Sequence, residues 1–104
     1  MSTEANNLIK EEARWVFCLA LYNWKELGAS EAALTSIAQG MKWQFSEVEV
    51  RDLILYLQEL GYCKVESLPL TGKLWAIRTA KLIDLVEFNA DCPPSIARPA
   101  KKYW

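Results

Sequence analysis

Histidine is absent from the 104 residues. Its absence removes the commonest general base, the Ser–His and Cys–His nucleophile pairs, and the imidazole ligands of most zinc sites. Cysteine is scarce and odd in number: Cys18, Cys63 and Cys92 stand apart, with no CxxC or CxC spacing. That argues against a disulfide framework and against a thiolate metal centre. Cys18 in an apolar helix and Cys63 in a strand read as small buried hydrophobes. No apolar run is long enough to span a bilayer, the best being WVFCLAL. The opening MSTEANNLIKEE lacks a basic flank and an apolar signal core, so the cytoplasm is the expected compartment. A glycine-rich phosphate loop, an internal repeat and a low-complexity tract are also missing. Neighbouring acids such as Glu11 and Glu12, or Glu47 and Glu49, diverge on a helix and do not make an acid–base pair. Neither an enzyme nor a cofactor is expected.

What is present suits one ordinary globular domain with a single core. Hydrophobic residues make up 52% and charged residues 24% of the chain, close to the average soluble protein and far from a disordered one. The net charge of −1 hides an uneven distribution. Between Ser46 and Gly61, Glu47, Glu49, Asp52 and Glu59 oppose Arg51 alone. Positive charge collects instead between Tyr62 and Thr79 (Lys64, Lys73, Arg78) and after Phe88 (Arg98, Lys101, Lys102).

The run from Ser46 to Thr79 is the most telling. Ser46 with Glu49 three residues on is a capping box. Val50, Ile54, Leu57 and Leu60 then follow at one-face helical spacing, widened by Leu53, and Gly61 stops the helix. The alternating segment from Tyr62 to Ser67, a turn around Pro69 and Gly72, and a second segment from Leu74 to Thr79 predict a β-hairpin. Upstream, a first helix over about Asn6–Lys25 ends at Gly28. A second over about Ser30–Gln39 has Ser30 as N-cap and ends at Gly40, and a short strand near Ala29 fits between them. Thr79 reads as the N-cap of a fourth helix, AKLIDLVEF. The tail NADCPPSIARPAKKYW contains Pro93, Pro94 and Pro99, which block helix and central strand. It folds back on the domain, meets a partner or stays loose. The expected fold is mainly α with a small hairpin, in the order α-α-α-β-β-α: a domain over 1–88 and an extended tail over 89–104.

Helix 1 is apolar over more than half its circumference, which calls for partners on two sides. One is the domain core; the other is expected to be a second copy meeting Trp15, Phe17, Tyr22 and Trp24, together with Leu82 and Leu85 of helix 4. Of the five tryptophans, Trp15, Trp43 and Trp75 are expected in the core, with Trp24 and Trp104 as interface candidates.

The stretch from Ala29 to Thr79 resembles the helix-turn-helix and wing of ArsR/MarR-type winged-helix regulators; VRDLILYLQELGYCKV looks like their recognition helix entering the second strand. The stretch from Thr79 through DLVEFNADCPPSIARP is similar to the C-terminus of small winged-helix proteins of Mu-like prophages. The resemblance implies duplex-DNA binding as a homodimer, with contacts at Gln44, Ser46, Glu47, Arg51 and the wing residue Lys73; the paired-cysteine metal site of the arsenic-sensing type does not appear. The charge distribution adds Lys64, Arg78, Arg98, Lys101 and Lys102 as phosphate contacts. The sequence departs from the pattern where it matters, because an acidic third helix would face about one phosphate charge per 1.7 Å of duplex. The ordinary reading of Arg51 is a surface pair with Glu47 at i,i+4. Two functions are therefore expected: a winged-helix DNA-binding, regulator-like protein of prophage type, which fold membership favours, or a winged-helix module that binds a protein and not DNA.

Overall fold

The computed structural model describes residues 3–101. Helix α1 (Thr3–Asn23) is followed by a single 3-10 turn (Lys25–Leu27) and strand β1 (Ala29–Ser30). Helices α2 (Glu31–Gly40) and α3 (Glu47–Glu59), strands β2 (Cys63–Ser67) and β3 (Leu74–Arg78), and helix α4 (Ala80–Val86) complete the order. The strands form one antiparallel sheet, β1-β3-β2, with Ala29 opposite Ala76, and Val65 opposite Ala76 on the other side. Four helices and a small three-stranded sheet share one core, and no described helix is long and apolar enough to cross a membrane.

The caps fall where the sequence places them. Ser30 Oγ accepts the Ala33 N–H and Thr79 Oγ1 the Leu82 N–H. In the capping box, Ser46 Oγ accepts from Glu49 N and Ser46 N donates to Glu49 Oε1, both at 3.1 Å. Gly28 could be no other residue. It has φ +76°, and a Cβ there would lie 2.5 Å from the Ala76 carbonyl oxygen, so its bareness lets the chain enter β1 directly against β3.

Helix C-termini hold the first difference from expectation. α2, α3 and α4 end in the same motif, with a left-handed residue one position past the cap. In α3 it is Gly61, whose N–H donates to Gln58 while Tyr62 N donates to Leu57. In α2 it is Lys42 (φ 63°), donating to Gln39, with Trp43 N bonding the Ala38 carbonyl. Gly40, expected to end that helix, is its last helical residue. In α4 it is Phe88 (φ 62°), donating to Leu85, with Asn89 N bonding Asp84. α4 is thus shorter than its apolar pattern suggested.

α1 is the central element, touching α2, α3, α4 and β3. Ala13, Phe17, Cys18 and Leu21 from α1 are buried with Leu34 and Ala38 of α2, Val50, Leu53, Ile54 and Leu57 of α3, and Leu82 and Leu85 of α4. The proline-containing tail folds back to close this core, with no helix or strand among its described residues. Ile96 is buried, Ala97 N donates to the Glu11 carbonyl at 3.1 Å, and Arg14 Nη1 donates to Ser95 O at 2.9 Å. Arg98 Nη1 donates to the carbonyls of Leu85 and Ala90, and its guanidinium lies 4.2 Å from the centre of the Phe88 ring. The boundary expected after residue 88 is therefore crossed by packing.

Part of the apolar surface of α1 is covered from within the chain. Phe17, Leu82 and Leu85, expected at a dimer interface, are wholly buried in the core and present nothing to a second copy. Trp15 is half-buried against the same core. Tyr22 donates its hydroxyl to Glu87 Oε2 at 2.6 Å. Trp24 keeps 37% of its surface exposed. Trp43 and Trp75 are half-buried, Trp75 Nε1 donating to the Leu27 carbonyl. Trp104 lies outside the described residues.

Candidate interaction surface

α3 turns Val50, Leu53, Ile54 and Leu57 inward. Its outward surface carries Glu47, Asp52, Gln58 and Glu59 around two apolar side chains, Val48 at 68% and Leu55 at 40% exposure. This surface is acidic with apolar patches, the reverse of what a phosphate backbone attracts.

The one cation of α3 is engaged. Arg51 Nε and Nη2 reach Glu31 Oε1 at 3.2 and 3.1 Å, and Nη2 also reaches Oε2 at 3.4 Å. The same Oε1 accepts the Leu74 N–H at 3.1 Å. Glu31, 4% exposed and the first residue of α2, thus ties α2 to α3 and to the start of β3. Arg51 pairs across the fold with Glu31, and the expected i,i+4 pair with Glu47 is not the contact that forms. A buried carboxylate needs such partners, so the guanidinium serves the fold first. By position Glu31 is an ordinary first-turn acid, and nothing in the local pattern marks it as buried.

The other arginines expected to reach DNA are also structural. Arg78 Nη1 donates to the Tyr22 carbonyl at 2.9 Å and its Nη2 lies 3.6 Å from Glu26 Oε1. Arg98 holds the tail, as described above. Ser46 is occupied by the capping box. Gln44 is exposed in the turn between α2 and α3. Lys64 on β2 and Lys73 in the hairpin loop are exposed, and Leu70 in the same loop is 99% exposed. Lys101 lies 6.0 Å from the Phe88 ring centre; Lys102 lies outside the described residues. The expected set is thus scattered. Its arginines hold the fold together, and Lys64 and Lys73 remain as outward cations of the hairpin.

Cys18 and Cys63 are buried, which disfavours their thiolates. Burial, with smaller contributions from Cys63 and Cys92, raises the Cys18 pKa far above the ordinary thiol value. Burial pushes Cys63 up to about 12. Glu87, by accepting the Tyr22 hydroxyl, raises that phenol's pKa. Among the described residues no group of His, Cys, Asp and Glu is placed to hold a metal ion.

Comparison with known proteins finds no match for the chain: no family model, no curated protein and no solved structure is significantly similar to it.

Proposed function

We propose that the chain is a winged-helix module that binds a basic, partly apolar protein segment through the outer surface of α3, without enzymatic activity. The order α1-β1-α2-α3-β2-β3-α4 and the sheet order β1-β3-β2 support the winged-helix reading, with β2–β3 as the wing. The observation that carries the function is the surface of α3. Glu47, Asp52 and Glu59 surround exposed Val48 and Leu55, while Arg51 is held by Glu31. Interfaces use apolar anchors within a polar rim, and acidic charge selects a basic partner and speeds its encounter.

A second reading, regulator-like duplex-DNA binding of the ArsR/MarR or prophage type, rests on the exposed Lys64 and Lys73 of the hairpin. One pair of titrations separates the two. A labelled amphipathic Lys/Leu peptide and a labelled random duplex are each followed by fluorescence anisotropy at low and physiological salt. The expected result is peptide binding lost in Asp52→Lys, and no duplex binding at low salt. Duplex binding that falls steeply with salt and disappears in Lys64→Glu with Lys73→Glu would replace the protein-partner reading by the DNA one. Arg78→Glu is unsuitable for this test, because Arg78 anchors β3 to the end of α1.

A further inference from the structure

A cleft of about 440 Å³ lies between the first turns of α1 and the α2–α3 turn. Its size falls in the range of small-molecule sites. Trp43 and Phe45 supply aromatic walls, their centroids 5.9 Å apart and the rings inclined at 47°. Lys10 and Lys42 bring two cations, and Glu49 brings one carboxylate. Glu49 already uses Oε1 on the Ser46 N–H, which fixes the carboxylate and leaves it capacity to accept from a ligand. A smaller cavity of about 170 Å³ shares Lys10 and Glu49 with the cleft and is lined as well by Arg14 and by the carboxylate of Asp52. The Arg14 Nε is buried with no hydrogen-bond partner among the described residues, a donor that the fold does not use.

Lys42 adds an independent observation. It occupies the left-handed position that ends α2, where glycine is the low-energy residue. Phe88 ends α4 in the same conformation; at Lys42 it fixes the backbone of a residue that lines the cleft.

We infer that the cleft binds a nucleoside 5′-monophosphate group. The base packs against Trp43 and Phe45, the phosphate meets Lys10 and Lys42, and Glu49 accepts from ribose hydroxyls or an exocyclic amine. The carboxylate selects this class. A simple aromatic acid brings a ring and an anion but no donor for Glu49, whereas a nucleotide carries ring, anion and donors together. The group can come from a free mononucleotide or from the 5′ end of a single strand.

The full chain, ¹⁵N-labelled, is titrated with AMP while the Trp43 indole N–H is followed, that resonance being assigned with Trp43→Phe. Adenosine, inorganic phosphate and benzoate are titrated in parallel. The expected result is a saturable shift with AMP and a much weaker response to each control. Lys42→Ala and Lys10→Ala should each weaken AMP binding about five- to tenfold, the loss of a charge-assisted contact, with amide resonances remote from the cleft unmoved. No saturation with AMP, equal binding of any control, or unchanged affinity in both lysine variants would overturn the assignment. A 5′-phosphorylated trinucleotide distinguishes the sources: affinity above that of AMP assigns the group to a strand end, and equal affinity assigns it to the free nucleotide.

Discussion

Arg51 Nη2 stands 3.1 Å from Glu31 Oε1, joining the third helix to the buried first residue of the second. The two partners are unequal, since Glu31 is buried and the Arg51 side chain is 44% exposed. Glu31→Ala removes the acceptor for both Arg51 and the Leu74 N–H and should cost about 2–3 kcal/mol in urea unfolding. Arg51→Ala should cost less, about 1 kcal/mol, because water can reach the vacated side. A larger loss for Arg51→Ala than for Glu31→Ala would show that this ranking is mistaken.

The left-handed residues that end α2 and α3 make opposite predictions. Lys42→Gly should stabilise the chain by about 0.5–1 kcal/mol, since glycine reaches positive φ without a Cβ penalty. Gly61→Ala should destabilise it by about 1 kcal/mol. A Cβ at Gly61 meets only the flexible Lys81 Cδ at 3.4 Å, so that cost is conformational and not steric. If Lys42→Gly gains nothing in thermal melts, the strain assigned to Lys42 is absent.

The helices and their starts were legible in the sequence because they rest on local chemistry. Ser30, Ser46 and Thr79 cap as their positions suggest, and the alternation around Val65 and Ala76 gives the hairpin. What was not legible depends on long-range contact. Lys42 and Phe88 end helices in a conformation that their residue types disfavour, so no local signal marks them. Ile96 and the tail pack beside α1 through contacts far apart in the sequence, which the apolar circumference of that helix could not specify. The candidate surface was half legible. The acidity of α3 can be read directly from Glu47, Asp52 and Glu59, whereas the engagement of Arg51, Arg78 and Arg98 within the fold follows only from tertiary geometry.

The tail is part of the fold, and its variants should show it. Ile96→Ala opens space against the core and should cost about 2–4 kcal/mol. Arg98→Ala leaves the Leu85 and Ala90 carbonyls without that donor and should cost about 1–2 kcal/mol. Equilibrium unfolding of both variants is the check; wild-type midpoints would mean that the tail is not bound in solution.

Stability should fall in alkali. Cys63 keeps its proton up to about 12 in the folded chain, against 9.0 for an unburied thiol. From about pH 9 to 12 the unfolded state therefore sheds this proton while the folded state holds it. The unfolding equilibrium constant should rise up to about tenfold per pH unit for this thiol. Cys18 and Tyr62, also raised mainly by burial, act in the same direction. The contribution is complete below the unfolded value and lost as pH rises. Cys63→Ala should flatten the alkaline slope, and an unchanged slope would remove Cys63 from this account.

Self-association is open to a direct mass measurement. With Phe17, Leu82 and Leu85 internal, sedimentation at tens of micromolar should return the monomer mass. A dimer would have to form elsewhere, and a Trp24→Lys variant that dissociated it would place the interface at the end of α1.

The bond from Ala97 N to the Glu11 carbonyl also orders events in time. A chain leaving the ribosome presents α1 before the tail, and the groove beside Glu11 and Arg14 is covered only when Ser95, Ile96 and Ala97 have emerged. Until then the central helix carries an uncovered apolar flank. Completion of the native state is therefore expected only after Ala97 has emerged, and slowing translation over the codons for Ser95 to Ala97 would prolong the interval in which a nascent chain needs a chaperone.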